Sequence, residues 1–178
     1  MNATGIVRRI DDLGRVVIPK EIRRTMRIRE GDPLEIYTTR EGEVIFKKYS
    51  MVGGLEEPAA LFCDALHRSA GFPAAVTDRD FVVAAAGAGR NGLIGKRISP
   101  RLEQIMQHRD VWCADGPEDA APVTEEDLPC AGVAAPILCQ GDVMGLVLFL
   151  ADGNRSPGDT ECKLAQTVAS FLGKHLEG

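Results

Sequence analysis

Apolar positions along the first fifty residues alternate with a period of two, and turn-forming residues interrupt the alternation at intervals. Over residues 4–10, Ile6, Arg8 and Ile10 share one side of a short strand while Val7 and Arg9 take the other, so each side carries an arginine. Asp11-Asp12-Leu13-Gly14 is a turn signal, and Arg15-Val16-Val17-Ile18 restarts a β-branched run that Pro19 stops. Pro19 also presets a helical dihedral where the missing N–H would go unpaired anyway, so a short helix is expected over Lys20–Met26. In it Ile22 and Met26 share a face, leaving Arg23 and Arg24 on the polar side. Gly31-Asp32-Pro33 breaks the chain, Leu34-Glu35-Ile36-Tyr37 alternates again, Arg40-Glu41-Gly42 turns, and Val44-Ile45-Phe46 is the last run. The expected order is strand, strand, short helix, strand, strand.

From residue 51 the pattern changes. Residues 51–58 read as a linker, and the remainder, 59–178, as a second domain that opens on a helix over Ala59–Ser69 with Leu55, Ala59, Phe62 and Leu66 in helical register. Ala74-Ala75-Val76-Thr77 and Phe81-Val82-Val83-Ala84 are two strands joined by Asp78-Arg79-Asp80, and Ser99-Pro100 starts a helix reaching about Arg109. Val133–Leu138 and Val143–Leu150 are apolar runs separated by a hairpin signal at Cys139–Asp142, and Asp159–Leu176 is a closing helix. Helix first, antiparallel sheet between and helix last make an α+β layout.

Charge divides the chain at the same place. Residues 1–50 hold 11 Lys/Arg against 8 Asp/Glu, net +3, while residues 51–178 hold 10 against 18, net −8, which together give the −5 of the whole chain. Residues 1–29 alone carry 8 basic and 3 acidic groups, a local +5, in a chain whose overall isoelectric point is about 5.3. A polyanion partner for one end follows. The front is also too small to bury a core by itself, since chains below roughly 40–60 residues usually need disulfides, a metal or a second subunit. It contains no Cys and no His, so a core shared with a second copy is the remaining solution, and a homodimer through residues 1–50 is expected.

Five cysteines (Cys63, Cys113, Cys130, Cys139, Cys162), an odd number without CxxC spacing, read as buried thiols of a reducing compartment. Arg8, Arg9, Asp11 and Asp12 fall where a signal peptide would be apolar, and the longest apolar stretch, 143–151, is far too short to span a bilayer. A cytoplasmic protein with no membrane partner is expected.

Thr4-Gly5-Ile6-Val7-Arg8-Arg9, Asp11-Asp12-Leu13-Gly14-Arg15-Val16-Val17-Ile18-Pro19 and Glu21-Ile22-Arg23-Arg24 resemble the AbrB-type swapped-hairpin DNA-binding family, without a gap over residues 1–50. The resemblance implies two chains exchanging hairpins to form a β-barrel dimer, with Arg8, Arg15, Arg23 and Arg24 contacting double-stranded DNA and Arg9 as a fifth contact. A planar guanidinium suits both phosphates and guanine edges. The bland alternatives for these arginines are a solvated basic face or a toxin-neutralising arm. If a dimer engaged about eight phosphates, log affinity would fall against log salt with a slope of about −7. Without a standard recognition helix, preference is expected for deformable, A·T-rich sites read through shape.

The second domain resembles a GAF domain, a small-molecule sensor fold related to PAS. An AbrB-type front joined to such a sensor is similar to a family of sporulation regulators, on Ala65-Leu66, Thr77-Asp78-Arg79-Asp80 and Gly141-Asp142-Val143-Met144-Gly145. The resemblance implies a sequence-preferring transcription regulator of sporulation genes, with activation and repression both open and room for a small-molecule effector of unknown identity. Leu61, Phe62 and Leu66 on the first helix and Leu164, Val168, Phe171 and Leu172 on the last exceed what one sheet face needs, so a helical bundle between subunits and a homotetramer are expected. The competing reading is a GAF-like ligand-binding module whose basic front serves only oligomerisation.

Other chemistry is weaker. Gly87-Ala88-Gly89-Arg90-Asn91-Gly92 matches GxGxxG, but Gly95 and Pro100 interrupt the helix that a dinucleotide site needs, so a loop is expected. His67, His108 and His175 lie in expected helices with no partner at metal-ligand spacing, and Glu125-Glu126-Asp127 sits between Pro122 and Pro129 as a solvated loop would. Cys139, at a turn, has no basic neighbour to lower its pKa. No catalytic residue, cofactor or metal is expected.

Overall fold

The computed structural model describes residues 6–32, 34–48, 55–87, 90–126, 129–153 and 155–177. Residues 4 and 5 of the first expected strand, residues 51–54 of the expected linker, Ala88 and Gly89 of the glycine motif and Asp127 of the acidic cluster lie outside them. The chain divides into two compact units, Met1–Ser50 and Met51–Gly178.

In the front unit, residues 6–18 form no strand; they run on either side of a turn at Asp11–Gly14. Helix α1 (Lys20–Met26) follows, with Pro19 just ahead of it. Its end is a Schellman closure: the Ile28 N–H donates to the Arg23 carbonyl at 2.8 Å, and the Arg27 N–H to that of Arg24 at 3.3 Å. Arg27 takes the left-handed conformation there, φ 50°. Strands β1 (Leu34–Thr38) and β2 (Val44–Lys48) pair antiparallel, from Leu34 opposite Lys48 to Thr38 opposite Val44. This is an open two-stranded ribbon, so the β-barrel expected of the front is not closed within one chain, and the strands expected over 4–10 and 15–18 are absent from residues 6–18. The physical reason is that a strand exists only against a ladder partner, and a single chain offers residues 6–18 none.

The second unit is built on one antiparallel sheet. Its elements are α2 (Glu56–Ala70), β3 (Ala74–Thr77), β4 (Val82–Ala86), a single turn α3 (Arg90–Leu93), α4 (Pro100–His108), β5 (Trp112–Cys113), β6 (Ala121–Pro122), β7 (Cys130–Cys139), β8 (Asp142–Leu150) and α5 (Asp159–Leu176). Strand order is β4-β3-β8-β7-β5, with β6 also on β7. Helix α2 takes in Glu56–Pro58, three residues ahead of the start read from its apolar spacing, because two glutamates in the first turn favour the positive end of the helix dipole. Elements α3, β5 and β6 were not expected; two to four residues carry no readable period.

Both faces of the sheet are covered. Ala59, Cys63 and Leu66 of α2 and Ala165, Val168, Ala169 and Leu172 of α5 pack with Val76, Val147 and Phe149 on one face. Leu102, Ile105 and Met106 of α4 pack with Val82, Leu146, Leu148 and Leu150 on the other. Ser99 fastens α4 down: its hydroxyl accepts from the Leu102 N–H at 3.1 Å and donates to the Pro122 carbonyl at 2.6 Å. Gly173 lets α5 lie close on β7, since a Cβ there would meet the Leu138 carbonyl.

One cysteine reading is corrected. Cys113 and Cys162 are joined as a disulfide, with Cα atoms 6.6 Å apart and 49 residues between them in sequence. Strand β5 lies beside the first turn of α5, a proximity that no sequence spacing announces. Cys63, Cys130 and Cys139 take no part in that bridge.

Candidate nucleic-acid interface

Arginines of the front unit are placed by two local devices. The first is the turn between Arg9 and Arg15. Oδ1 of Asp11 accepts from the Leu13 N–H at 3.0 Å and from the Arg15 N–H at 2.8 Å, while Oδ2 accepts from Nε of Arg15 at 2.8 Å. Backbone bonds from Asp11 N–H to the Arg15 carbonyl and from Gly14 N–H to the Asp11 carbonyl, both 3.0 Å, close the same loop. Gly14, at φ 76°, supplies the left-handed residue such a turn needs. These donors, the Arg15 backbone N–H foremost and then its guanidinium, hold the Asp11 carboxyl below its ordinary pKa against a small opposing effect of burial.

The second device is α1, which carries Arg23 and Arg24 in its last turn, where cations complement the negative end of the helix dipole. Arg8, Arg9, Arg15, Arg23 and Arg24 are all exposed. Among the described residues only Arg15 of the five has an ion pair, and its side chain remains 70% exposed. Arg29, just beyond α1, is exposed as well and was passed over in reading the sequence, although the same local excess of positive charge includes it.

The front unit is also unfinished. Among its described residues Ile28 is the only buried hydrophobic side chain, while Val7 (86%), Val17 (72%), Leu13 (71%) and Ile10 (69%) stand open. Large apolar side chains in such numbers do not normally face water on so small a unit.

A second apolar surface lies in the other unit. Helices α2 and α5 flank a groove of about 500 Å³ lined by Glu57, Pro58, Leu61, Phe62, Ala65, Phe171 and His175. Phe62 and Phe171 meet across it with ring centroids 5.1 Å apart, and Leu61 and Phe171 remain 67% and 53% exposed. Leu66, Val168 and Leu172, grouped with them in the sequence reading, instead belong to the core.

Remaining candidates have local explanations. Gly87 (φ 92°) packs where a Cβ would press on Pro73 and the His67 ring, and the motif it opens leads into the single turn α3. His67 is half-buried with Nδ1 2.9 Å from the Phe72 carbonyl, while His108 and His175 are exposed. Glu126 pairs with Lys96 at 2.7 Å. Burial, then the Glu177 and Asp142 carboxylates, push the Cys139 thiol up. Among the described residues no cluster of His, Cys, Asp and Glu could hold a metal ion.

Comparison with known proteins places both units. Residues 54–177 match the family described as "Stage V sporulation protein T C-terminal, transcription factor", and residues 7–52 match "Antidote-toxin recognition MazE, bacterial antitoxin". The chain is 45% identical to stage V sporulation protein T of Bacillus subtilis (strain 168) over 179 residues, 99% of each chain. The front is 61% identical to the transition state regulatory protein AbrB of the same organism over 49 residues, 28% of this chain and 50% of that one. In structure, the GAF domain of an Acinetobacter phosphoenolpyruvate-protein phosphotransferase superposes with a TM-score of 0.57 at 10% identity, covering 68% of this chain and 81% of that one.

Proposed function

The chain belongs to the stage V sporulation protein T family of transcription factors, and on that premise we propose that its front unit grips double-stranded DNA through Arg8, Arg9, Arg15, Arg23 and Arg24. The carrying observation is that all five guanidinium groups are exposed on a small unit whose first 29 residues are net +5 while the other unit is net acidic. Guanidinium groups displace the cations condensed on a duplex, so affinity should depend steeply on salt. Activity here is regulation of transcription in sporulation, with no catalytic step required of the chain.

Two chains complete one front unit. The open apolar side chains of residues 6–18, lacking a ladder partner and a core, support a swapped homodimer through residues 1–50. The groove between α2 and α5 supports a second pairing, which joins dimers into a homotetramer. A small-molecule effector is supported by the GAF-like fold alone. The part of the expected 51–58 linker that precedes Leu55 and α2 serves as the connection between the DNA-binding and assembly domains. The protein works in the cytoplasm, as a DNA-bound regulator must; no helix among the described residues is long and apolar enough to cross a membrane.

A gel-shift of the full-length chain with Arg15→Ala and Arg23→Ala tests this reading. Each phosphate or base contact is worth about 1–3 kcal/mol, and a symmetric dimer loses it twice, so the shifted band should disappear at concentrations where the unaltered chain binds fully. Undiminished binding by both variants would refute it.

A further inference from the structure

Asp11 is an acidic residue at the centre of a basic front, a placement that simple electrostatics disfavours. Removing a carboxylate from a surface that meets phosphates ought to tighten binding, because the like-charge repulsion goes with it. Its contacts argue the reverse. One oxygen of Asp11 accepts from two backbone N–H groups of the turn, and the other takes the Arg15 Nε at 2.8 Å. Bonding through Nε leaves the two terminal amino groups, the planar fork that suits phosphate and guanine, outside that bond. Asp12, next in the chain and equally charged, makes none of these contacts.

From this geometry we infer that Asp11 is a positioning residue for DNA binding, which fixes the 11–15 turn and orders the Arg15 side chain before the duplex arrives. The inference rests on the DNA contact proposed for Arg15. An arginine tethered in advance loses less rotamer freedom on binding, and an ordered turn has no backbone freedom left to lose. Asp11 sets this gain against its own repulsion of the duplex, which salt screens over a distance of about 8 Å at physiological ionic strength. The gain from order is not screened. Asp11 and Asp12 therefore act with opposite sign although they carry the same charge.

Fluorescence anisotropy of the full-length chain on a labelled A·T-rich duplex, across a salt series, tests the assignment with five variants. Asp11→Ala should weaken binding by about threefold to tenfold per chain, whereas Asp12→Ala should leave it unchanged or tighter. In an Arg15→Ala background Asp11→Ala should cost clearly less, because only the turn is left for it to fix. Asp11→Asn keeps an oxygen for the two backbone donors but loses the charged acceptor for Nε. It should retain the unfolding midpoint and weaken binding without lowering the salt slope, which Arg15→Ala lowers by about one per chain. Tighter binding by Asp11→Ala, equal effects at Asp11 and Asp12, or the same loss in both backgrounds would overturn the inference while leaving Arg15→Ala defective. Full binding by Arg15→Ala would remove the DNA contact itself, and the role of Asp11 with it.

Discussion

The two units solve the problem of a core in opposite ways. The second unit wraps one sheet on both faces, and every residue of β8 from Met144 to Leu150 is buried. Residues 1–50 hide Ile28 and leave Val7, Ile10, Leu13 and Val17 open. The difference is one of contact range. A sheet with helices on each side closes its own apolar surface, whereas a fifty-residue ribbon and helix has too little chain to do so, and the proposed pairing of two copies would supply the rest. A regulator would gain from that pairing, because the unit that meets DNA would then be complete only when two chains meet.

The sharpest way to break the comparison is at the centre of the closed unit. Phe149→Ala should cost about 3–5 kcal/mol, seen as a lower midpoint in thermal or urea unfolding, since Phe149 is fully buried. The Cys113–Cys162 bridge, with its separation of 49 residues, should raise the stability of the oxidised chain over the reduced one by up to about 4 kcal/mol, readable as two melting midpoints. In a reducing cytoplasm the lower midpoint would apply.

For the open unit the expectation is different in kind. Val17→Asp should leave the second unit's unfolding unchanged but raise the concentration at which the front dissociates by about tenfold or more, measured by analytical ultracentrifugation across a dilution series. Leu61→Ser with Phe171→Ser should reduce the solution mass from four chains to two and lower the second unit's thermal midpoint only by what that pairing contributes, because within one chain both side chains are more than half exposed. An unchanged mass would remove the groove from the assembly.

The smallest expected effect concerns Cys63, whose thiol burial pushes up to about 12, with the Asp64 carboxylate adding to the shift. A raised folded value means that the folded chain holds the proton more tightly. The contribution of Cys63 to stability is therefore whole below the ordinary thiol value and is lost as pH climbs toward the folded one. In native protein Cys63 should be the last free thiol to react with an alkylating reagent, as peptide mapping over time would show.

What the sequence discloses depends on how local each cause is. Helix α1 at Lys20–Met26 and helix α5 at Asp159–Leu176 follow from periodicity and end signals inside their own segments, and both occur on those residues. So does the cap at Ser99. The strands expected over residues 4–10 and 15–18 fail for the opposite reason: their alternation is plain, but the pairing it calls for is absent from described residues 6–18 of one chain. Strands β5 and β6 and the Cys113–Cys162 bridge depend on chain segments meeting across long separations, with no period or motif to mark them. The basic front was legible from charge, and Arg8, Arg15, Arg23 and Arg24 were singled out within it by the family resemblance, while the role of Asp11 was hidden by its sign, although its spacing of four from Arg15 was there to see.

Leu148 and Phe149 are consecutive on β8, yet one belongs to the face under α4 and the other to the face under α2 and α5. A slip of one residue in that strand would exchange the two interiors, putting a benzyl group where an isobutyl group fits and the reverse. The central hairpin therefore acts as a keyed shaft. A disturbance that lifts α4 from its seat has a single peptide bond to cross before it reaches the helices on the far side.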